Sequence, residues 1–432
     1  MDATLQFDHH PHATERGTVV RALLTIAGTV PEGRQRPPLG LSLVLDRSGS
    51  MAGAKLQAVA EASARAVERL HPDDLVSAVA FDNAVDTLAE PAPVRQQAGL
   101  PTRLRQLFSG GSTNLSGGWL RGRQHMTDIG PVLAGAAGAS RRVVLLTDGQ
   151  ANAGITDVDT LVALARTARA DGITTSTIGV GEGYDDALLR AMADAGGGNA
   201  WYIEDPDQAQ DVFAEELGTL LSVAAQGLTV TLTLHHPVNM LVVHSGWPTV
   251  PGAQQWRFDL GDLYASEPKP LLVELFVPSD VEPGSEPLAT LEVRADVLTA
   301  DGVEQRQLTL PIAASLDAQG AMVPEVERAI VLARVARARE EAARHQRSGD
   351  PEQAAGHMAR ATEAVRRSPL IDHPVFGTEL RTQADDLEQL REQYANGGFD
   401  EYDAKYQVQR AYNARRGKLG YDEMLRRKQR RS

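Results

Sequence analysis

Between residues 41 and 203 the chain repeats one pattern: a short apolar run, a stretch with helical spacing, then another apolar run. The runs fall at 41–45, 75–81, 143–147, 174–180 and 200–203. After the first, Leu56, Val59, Ser63, Val67 and Leu70 follow i, i+3, i+4 spacing, and after the third Leu161, Leu164, Ala165 and Ala168 do the same. Gly172, behind Asp171, is a plausible stop for the second of these helices. Strands this continuously apolar need cover on both faces. Alternation with helices therefore predicts an α/β domain built on a parallel sheet. Open sheets of this kind place their sites beyond the carboxyl ends of the strands.

Two of the runs, the first and the third, lead into Asp with hydroxyl or glycine neighbours. The first delivers Asp46-Arg47-Ser48-Gly49-Ser50, which sets one carboxylate and two hydroxyls on alternate residues. The third ends in Thr147-Asp148-Gly149. Between them, Gly110-Gly111-Ser112-Thr113-Asn114 offers another hydroxyl in a glycine-rich loop. Hard oxygen donors suit Mg²⁺ or a close relative. Two carboxylates neutralise one divalent ion and hydroxyls add ligands without charge. Water must then complete the octahedron, and an incoming carboxylate can replace it. Hydroxyls outnumber carboxylates and no bidentate Glu is evident, which favours Mg²⁺; Mn²⁺ and Ca²⁺ stay open as alternatives.

These three segments, in this order, resemble the von Willebrand factor A domain family. The resemblance covers roughly residues 39–222. It extends to Thr147-Asp148-Gly149-Gln150-Ala151-Asn152, to Ile178-Gly179-Val180-Gly181 and to Tyr202-Ile203-Glu204-Asp205-Pro206, which fit the soluble bacterial branch. It implies a Rossmann-like domain with a mostly parallel sheet flanked by helices. It also implies an intact metal-ion-dependent adhesion site with Asp46, Ser48, Ser50, Thr113 and Asp148 as metal ligands. The function implied is non-enzymatic: metal-bridged binding of a protein ligand that presents Asp or Glu. A second reading is an adaptor for a MoxR- or chelatase-type AAA+ ATPase. Arg47, Met51, Asp82, Asn114 and Asn152 lie near the motif and are expected to shape specificity, Arg47 and Met51 by facing the partner. Asn114 is expected to hydrogen-bond within its own loop.

After residue 223 the periodicity changes to two. Leu228, Val230, Leu232 and Leu234 alternate with threonines, and Ala289, Leu291, Val293, Ala295 and Val297 with polar residues. Leu271, Val273, Leu275 and Val277 behave likewise, and Pro and Gly punctuate the runs. This predicts an antiparallel β-sandwich at 223–318. The N-terminal segment 1–38 holds a further strand at 19–26, expected to cross into that sandwich and make the A domain of 39–222 an insertion; a sequential β-domain is the alternative. Residues 323–396 read as a helical hairpin and a third helix. Asp350 and Pro351 start the second of these helices, and the third runs from about residue 378 to 394. Residues 397–432 form a basic, helical or flexible tail. From Ala404 onward it carries ten Lys and Arg against Asp422 and Glu423. Its expected state is a solvated helix, with docking of an acidic partner or nucleic acid as the alternative. The aromatics clustered here, Tyr394, Phe399, Tyr402, Tyr406, Tyr412 and Tyr421, offer anchors to the molecule's own surface or to a second subunit.

Bulk properties bound the rest. The chain has 432 residues and no cysteine, which excludes disulfides and thiolate metal sites. A formal net charge of −14 argues against general nucleic-acid or anionic-membrane binding. No run approaches the length of a membrane span and no signal sequence is visible, so the expected setting is cytoplasmic. His9-His10-Pro11-His12 reads as a surface segment before it reads as a metal site. Phosphate-loop, dinucleotide and nucleophile-elbow spacings all fail.

Overall fold

The computed structural model describes residues 1–14, 17–30, 36–181, 183–203, 205–236, 238–265, 267–278, 287–313 and 322–418. In chain order, strands β1 (Asp2–Thr14) and β2 (Gly17–Ala27) come first. An alternating segment follows: β3 (Leu39–Asp46), α1 (Ala54–Glu68), β4 (Leu75–Phe81), β5 (Val85–Pro93), α2 (Leu100–Arg105), α3 (Leu115–Asp128), α4 (Gly130–Leu133), β6 (Ser140–Thr147), α5 (Val158–Ala170), β7 (Ile173–Val180), α6 (Asp186–Gly196), β8 (Gly197–Ile203) and α7 (Ala209–Leu221). Then come β9 (Val223–Leu234), β10 (Asn239–Val243), β11 (Thr249–Val250), β12 (Gln255–Tyr264), β13 (Lys269–Pro278), β14 (Ala289–Thr299) and β15 (Gly302–Ile312). Helices α8 (Pro324–Arg347), α9 (Pro351–Arg366), α10 (Gly377–Ala395) and α11 (Glu401–Arg415) close the described chain. It divides into two compact units, one made of residues 29–227 and 296–305, the other of 1–28, 228–295 and 306–432.

The first unit is built on a sheet of order β5-β4-β3-β6-β7-β8. All its neighbouring strands run parallel except β5, which pairs antiparallel with β4 at the edge. Every residue of β3, β4 and β7 is buried, including the hydroxyl-bearing Thr174, Thr175, Ser176 and Thr177 of β7, as central strands covered on both faces require. Helix α3 covers β3, β4 and β6 with a buried Trp119. Chain order reverses at β3: β4 lies on one side of it and β6 on the other. That is the switch point where α/β sheets open a crevice. The register Leu45↔Leu146 sets Asp46 and Thr147 at neighbouring strand ends, and Asp148 follows at once.

The second unit carries antiparallel pairing. Residues 19–26 belong to β2, which pairs with β13 from Lys269↔Ile26 to Pro278↔Gly17 and with β1 on its other side. The sheet order is β1-β2-β13-β10, and a further sheet runs β11-β12-β9-β14-β15. The alternating burial of β14 matches the period-two reading of its sequence. Buried Arg21 of β2 holds Asp8 of β1 through two bonds of 2.7 Å and reaches Glu327 of α8 at 2.6 Å. Val326 and Ile330 of α8 pack with Leu23 and Leu272 of this sheet.

Helices α8 to α11 share one apolar core with Met358, Leu380, Leu387, Tyr394 and Phe399. Asp350 caps α9, accepting from Gln353 N–H at 3.0 Å, with Pro351 in its first turn. The tail departs from the solvated helix expected of it. Residues 404–413 of α11 are buried, Tyr406 and Tyr412 among them. The physical reason is that its polar side chains find partners: Arg410 meets Asp386 at 3.3 Å, and Gln407 accepts from Arg339. The part of the tail from 419 to 432, with Tyr421, lies outside the described residues, as do the side chains of the His9-His10-Pro11-His12 run.

Candidate metal centre

The oxygen-bearing residues picked from sequence come from β3 and the turn after it, the loop before α3, and the end of β6. Asp46 is the last residue of β3 and fully buried. Its Oδ1 accepts the Ser48 N–H at 2.7 Å, which folds the chain back so that both serines share its side of the turn. Ser48 Oγ and Ser50 Oγ lie 3.1 Å apart, and Ser50 Oγ donates to Asp148 Oδ1 at 2.7 Å. The position of Gly149 reports the remaining approach. A Cβ built there would lie 3.2 Å from Thr113 Oγ1 and 3.9 Å from Asp46 Oδ2. Asp46 and Thr113 thus approach one another beside Gly149, and the hydroxyl bonds above bring Ser48, Ser50 and Asp148 to the same small cradle.

Three neighbours hold the cradle in shape. Thr147 Oγ1 donates a short hydrogen bond to Asp46 Oδ2 and accepts the Gly149 N–H at 3.1 Å. Asn152 Oδ1 accepts the Thr113 N–H at 2.8 Å. Lys55, in the first turn of α1, donates to Asp148 Oδ2 at 2.7 Å. Two backbone bonds tie the turn after β3 to the glycine-rich loop, Gly49 N–H to Gly111 O at 2.9 Å and Gly110 N–H to Arg47 O at 2.7 Å. Asn114 bonds within its own segment, capping α3 by accepting the Gly117 N–H at 3.0 Å. No side-chain cap hydrogen bond of Ser48 or Ser50 to the helix is present, and Gly53 occupies the N-cap of α1.

Two specificity expectations need correction. Met51 does not face a partner: it is 0% exposed, drawn inward as an apolar side chain of the core. Arg47 is also buried, because Asp82 (3.2 Å) and Asp86 both pair with it. An exposed aromatic stands beside it: Phe108 is 73% exposed, and the Arg47 guanidinium sits over its ring at 5.7 Å. Sequence reasoning missed Lys55, Thr147 and Phe108. For Phe108 there was a signal, an aromatic side chain five residues before Thr113 in a chain with 5% aromatics.

Burial raises the Asp46 carboxyl above its ordinary range, and nearby Asp148 adds to the rise, while hydrogen bonds from Thr147 and Ser48 oppose it. Burial also pushes Asp82 up, but the Ala84 and Gly111 N–H groups and Arg47 outweigh it and hold that carboxyl below its usual range. As a donor set, two carboxylates and three hydroxyls around a cradle of this size suit a hard divalent cation. Among the described residues no cluster of three or more His, Cys, Asp or Glu offers a different kind of metal centre.

Residues 41–215 match the von Willebrand factor type A domain. The chain contains such an A domain. An uncharacterized protein of Synechocystis sp. is 27% identical over 282 residues, 63% of this chain and 65% of that protein. The E3 ubiquitin-protein ligase WAV3 of Arabidopsis thaliana is 27% identical over 329 residues, 74% of this chain but 40% of that protein. The chain thus spans less than two thirds of the length of these curated relatives. A solved structure, a von Willebrand factor type A protein from Catenulispora acidiphila, superposes with a TM-score of 0.66 at 20% identity, covering 90% of this chain and 96% of that one. That likeness establishes shared fold. Von Willebrand factor type A domains generally mediate protein–protein interaction.

Proposed function

We propose that the A domain binds a protein partner through a divalent cation held by Asp46, Ser48, Ser50, Thr113 and Asp148, with an Asp or Glu of the partner as the incoming ligand. The observation that carries this reading is the convergence of those five side chains on the Gly149 cradle. When bound, the cation would supply a Lewis-acidic corner for a carboxylate. Mg²⁺ is the favoured ion, with Mn²⁺ and Ca²⁺ as alternatives.

What the chain itself does is orient. Thr147 aims Asp46, Asn152 fixes the Thr113 backbone, and the two loop–loop bonds hold the turn after β3 against the glycine-rich loop. The reading proposed is a binding role. The Ser48 and Ser50 hydroxyls are hydrogen-bonded to each other, and Ser50 to Asp148. Phe108 stands beside the site as an exposed apolar contact, so the fitting partner segment carries an apolar side chain close to its acidic one. No helix among the described residues is long and apolar enough to cross a membrane.

The test is titration of the purified protein with Mn²⁺, followed by the loss of the aqueous Mn²⁺ resonance, beside affinity capture in Mg²⁺ and in EDTA. Binding by the wild type and its loss in Asp46→Ala are expected, together with a captured protein released by EDTA. Capture that is indifferent to EDTA and to Asp46→Ala would rule the mechanism out.

A further inference from the structure

Asp148 already carries a cation of the chain's own. The Lys55 ammonium lies 2.7 Å from Asp148 Oδ2, while Ser50 Oγ donates to Oδ1 at 2.7 Å. Both oxygens of one carboxylate are thus engaged, one by a formal positive charge and one by a hydroxyl of the cradle. The Asp148 side chain is wholly buried and that of Lys55 is 32% exposed, so the ammonium sits between the cradle and solvent. Its path is fitted. A Cβ at Gly181 would lie 2.9 Å from Lys55 Cε, so a side chain at 181 would crowd the lysine stem.

Formal charge makes this arrangement informative. Asp46, Asp148 and Lys55 together carry one negative charge. A divalent cation would turn that into one positive charge. With a neutral residue at 55 the loaded site would carry none. A like charge near a bound dication weakens its hold, and a net positive site draws a carboxylate.

Resting on the cation-site reading above, we propose that Lys55 is the built-in counter-ion of Asp148, which weakens cation binding and leaves the loaded site positively charged toward an acidic partner. The lysine trades affinity for the ion against affinity for the ligand. It acts through Asp148 and is a positioning and charge-setting residue.

The experiment is Mn²⁺ titration of the full chain in four forms: wild type, Asp46→Ala, Lys55→Arg and Lys55→Met, each also melted with and without saturating Mn²⁺. Lys55→Arg keeps the charge and is expected to bind as the wild type does. Lys55→Met is expected to bind Mn²⁺ about tenfold more tightly, which is ~1.4 kcal/mol. Without divalent cation it should melt below the wild type, because buried Asp148 loses its counter-charge. In saturating Mn²⁺ that gap should close or reverse, since tighter binding adds more stability. A lysine with only a structural role would give the opposite result, lower melting and weaker binding together. Should Lys55→Met not fold, Lys55→Gln, which keeps an N–H donor, carries the same expectation. Wild-type binding that is lost in Asp46→Ala but unchanged or weakened in Lys55→Met overturns the counter-ion role and leaves the cation site standing. No Mn²⁺ binding by the wild type overturns both.

Discussion

Gly110→Ala is the substitution in which the geometry of the site makes its sharpest demand. A Cβ at position 110 would fall 1.9 Å from Asp82 Oδ2 and 2.9 Å from its Cγ. Ordinary nonbonded contact needs ~3.5 Å, so the Asp82 carboxylate must leave its place. In doing so it gives up Arg47 Nε at 3.2 Å and puts at risk the Ala84 N–H held at 2.7 Å. Overpacking of this kind costs ~1–3 kcal/mol, and loss of the charge-assisted Arg47–Asp82 hydrogen bond a further ~1.5–3 kcal/mol. The two terms overlap, because the shift that relieves one creates the other, and we expect a total near 2–4 kcal/mol. The damage does not stop at stability. Gly110 N–H donates to Arg47 O, inside the Asp46–Ser50 turn, so displacement of either segment pulls two serine ligands out of register with Thr113. Mn²⁺ affinity should fall by at least about tenfold, or ~1.4 kcal/mol. Urea unfolding and Mn²⁺ titration on the same preparation check both numbers. Gly99→Ala, where an added Cβ meets nothing within 4 Å, is the control and should stay within ~0.5 kcal/mol of the wild type. Gly110→Ala unfolding at the wild-type midpoint with unchanged Mn²⁺ affinity would refute the coupling.

Two further outcomes follow from other parts of the molecule. Burial pulls the Lys269 ammonium down to about 7 from an ordinary 10.5, with Glu267 and Asp262 opposing the fall and Lys418 and Arg416 adding to it. An unfolded chain then binds the extra proton between about pH 7 and 10.5, so folded stability should rise with pH across that window. Relative to Lys269→Met, the wild type should gain up to ~1.4 kcal/mol per pH unit. The Trp247 ring at 4.6 Å and the Leu260 carbonyl at 2.7 Å favour the charged form and make this an upper bound. Urea midpoints at pH 6.5, 8 and 9.5 measure it, and a pH-independent difference would contradict it. Phe108→Ala should leave stability within ~0.5 kcal/mol and Mn²⁺ affinity unchanged, because the ring is exposed, yet reduce the EDTA-sensitive capture of a partner. Equal capture by the variant would remove Phe108 from the binding face.

Much of the A domain was legible because buried parallel strands write themselves as apolar runs. The run at 75–81 is β4 residue for residue. Strand β5 left no such mark: it is an edge strand, largely half-exposed, and contains Pro91 and Pro93. Helix α3 carries Gly117, Gly118 and Gly122, which weaken any propensity signal. Two of them exist for close packing, since a Cβ would meet Phe81 at 2.4 Å from Gly118 and Val44 at 2.4 Å from Gly122. In α11 the sequence misleads for another reason. Lys405, Gln407 and Arg410 look solvated, and they are buried because tertiary partners receive them. The five candidate ligands could be read as a motif because each is a ligand by residue type. Thr147, Asn152 and Lys55 could not be assigned their tasks, because a threonine, an asparagine or a lysine supports a site only through strand register, loop path and helix start.

The supports around the cradle differ in physical kind, and this makes the site open to dissection. Gly110 acts through geometry: any change there moves ligands, and moving ligands can only weaken the hold on an ion. Lys55 acts through charge: its removal leaves the ligand oxygens in place and takes away a competitor for one of them. The two substitutions are therefore expected to shift cation affinity in opposite directions although both lie at one site. A cradle that existed only to stabilise the fold would not separate them, since both substitutions would then lower stability and neither would tighten an ion. The sign of the change at residue 55, set beside the sign at residue 110, thus distinguishes a binding site with its own counter-charge from a buried polar cluster. The comparison needs no knowledge of the partner, because Mn²⁺ alone is the probe.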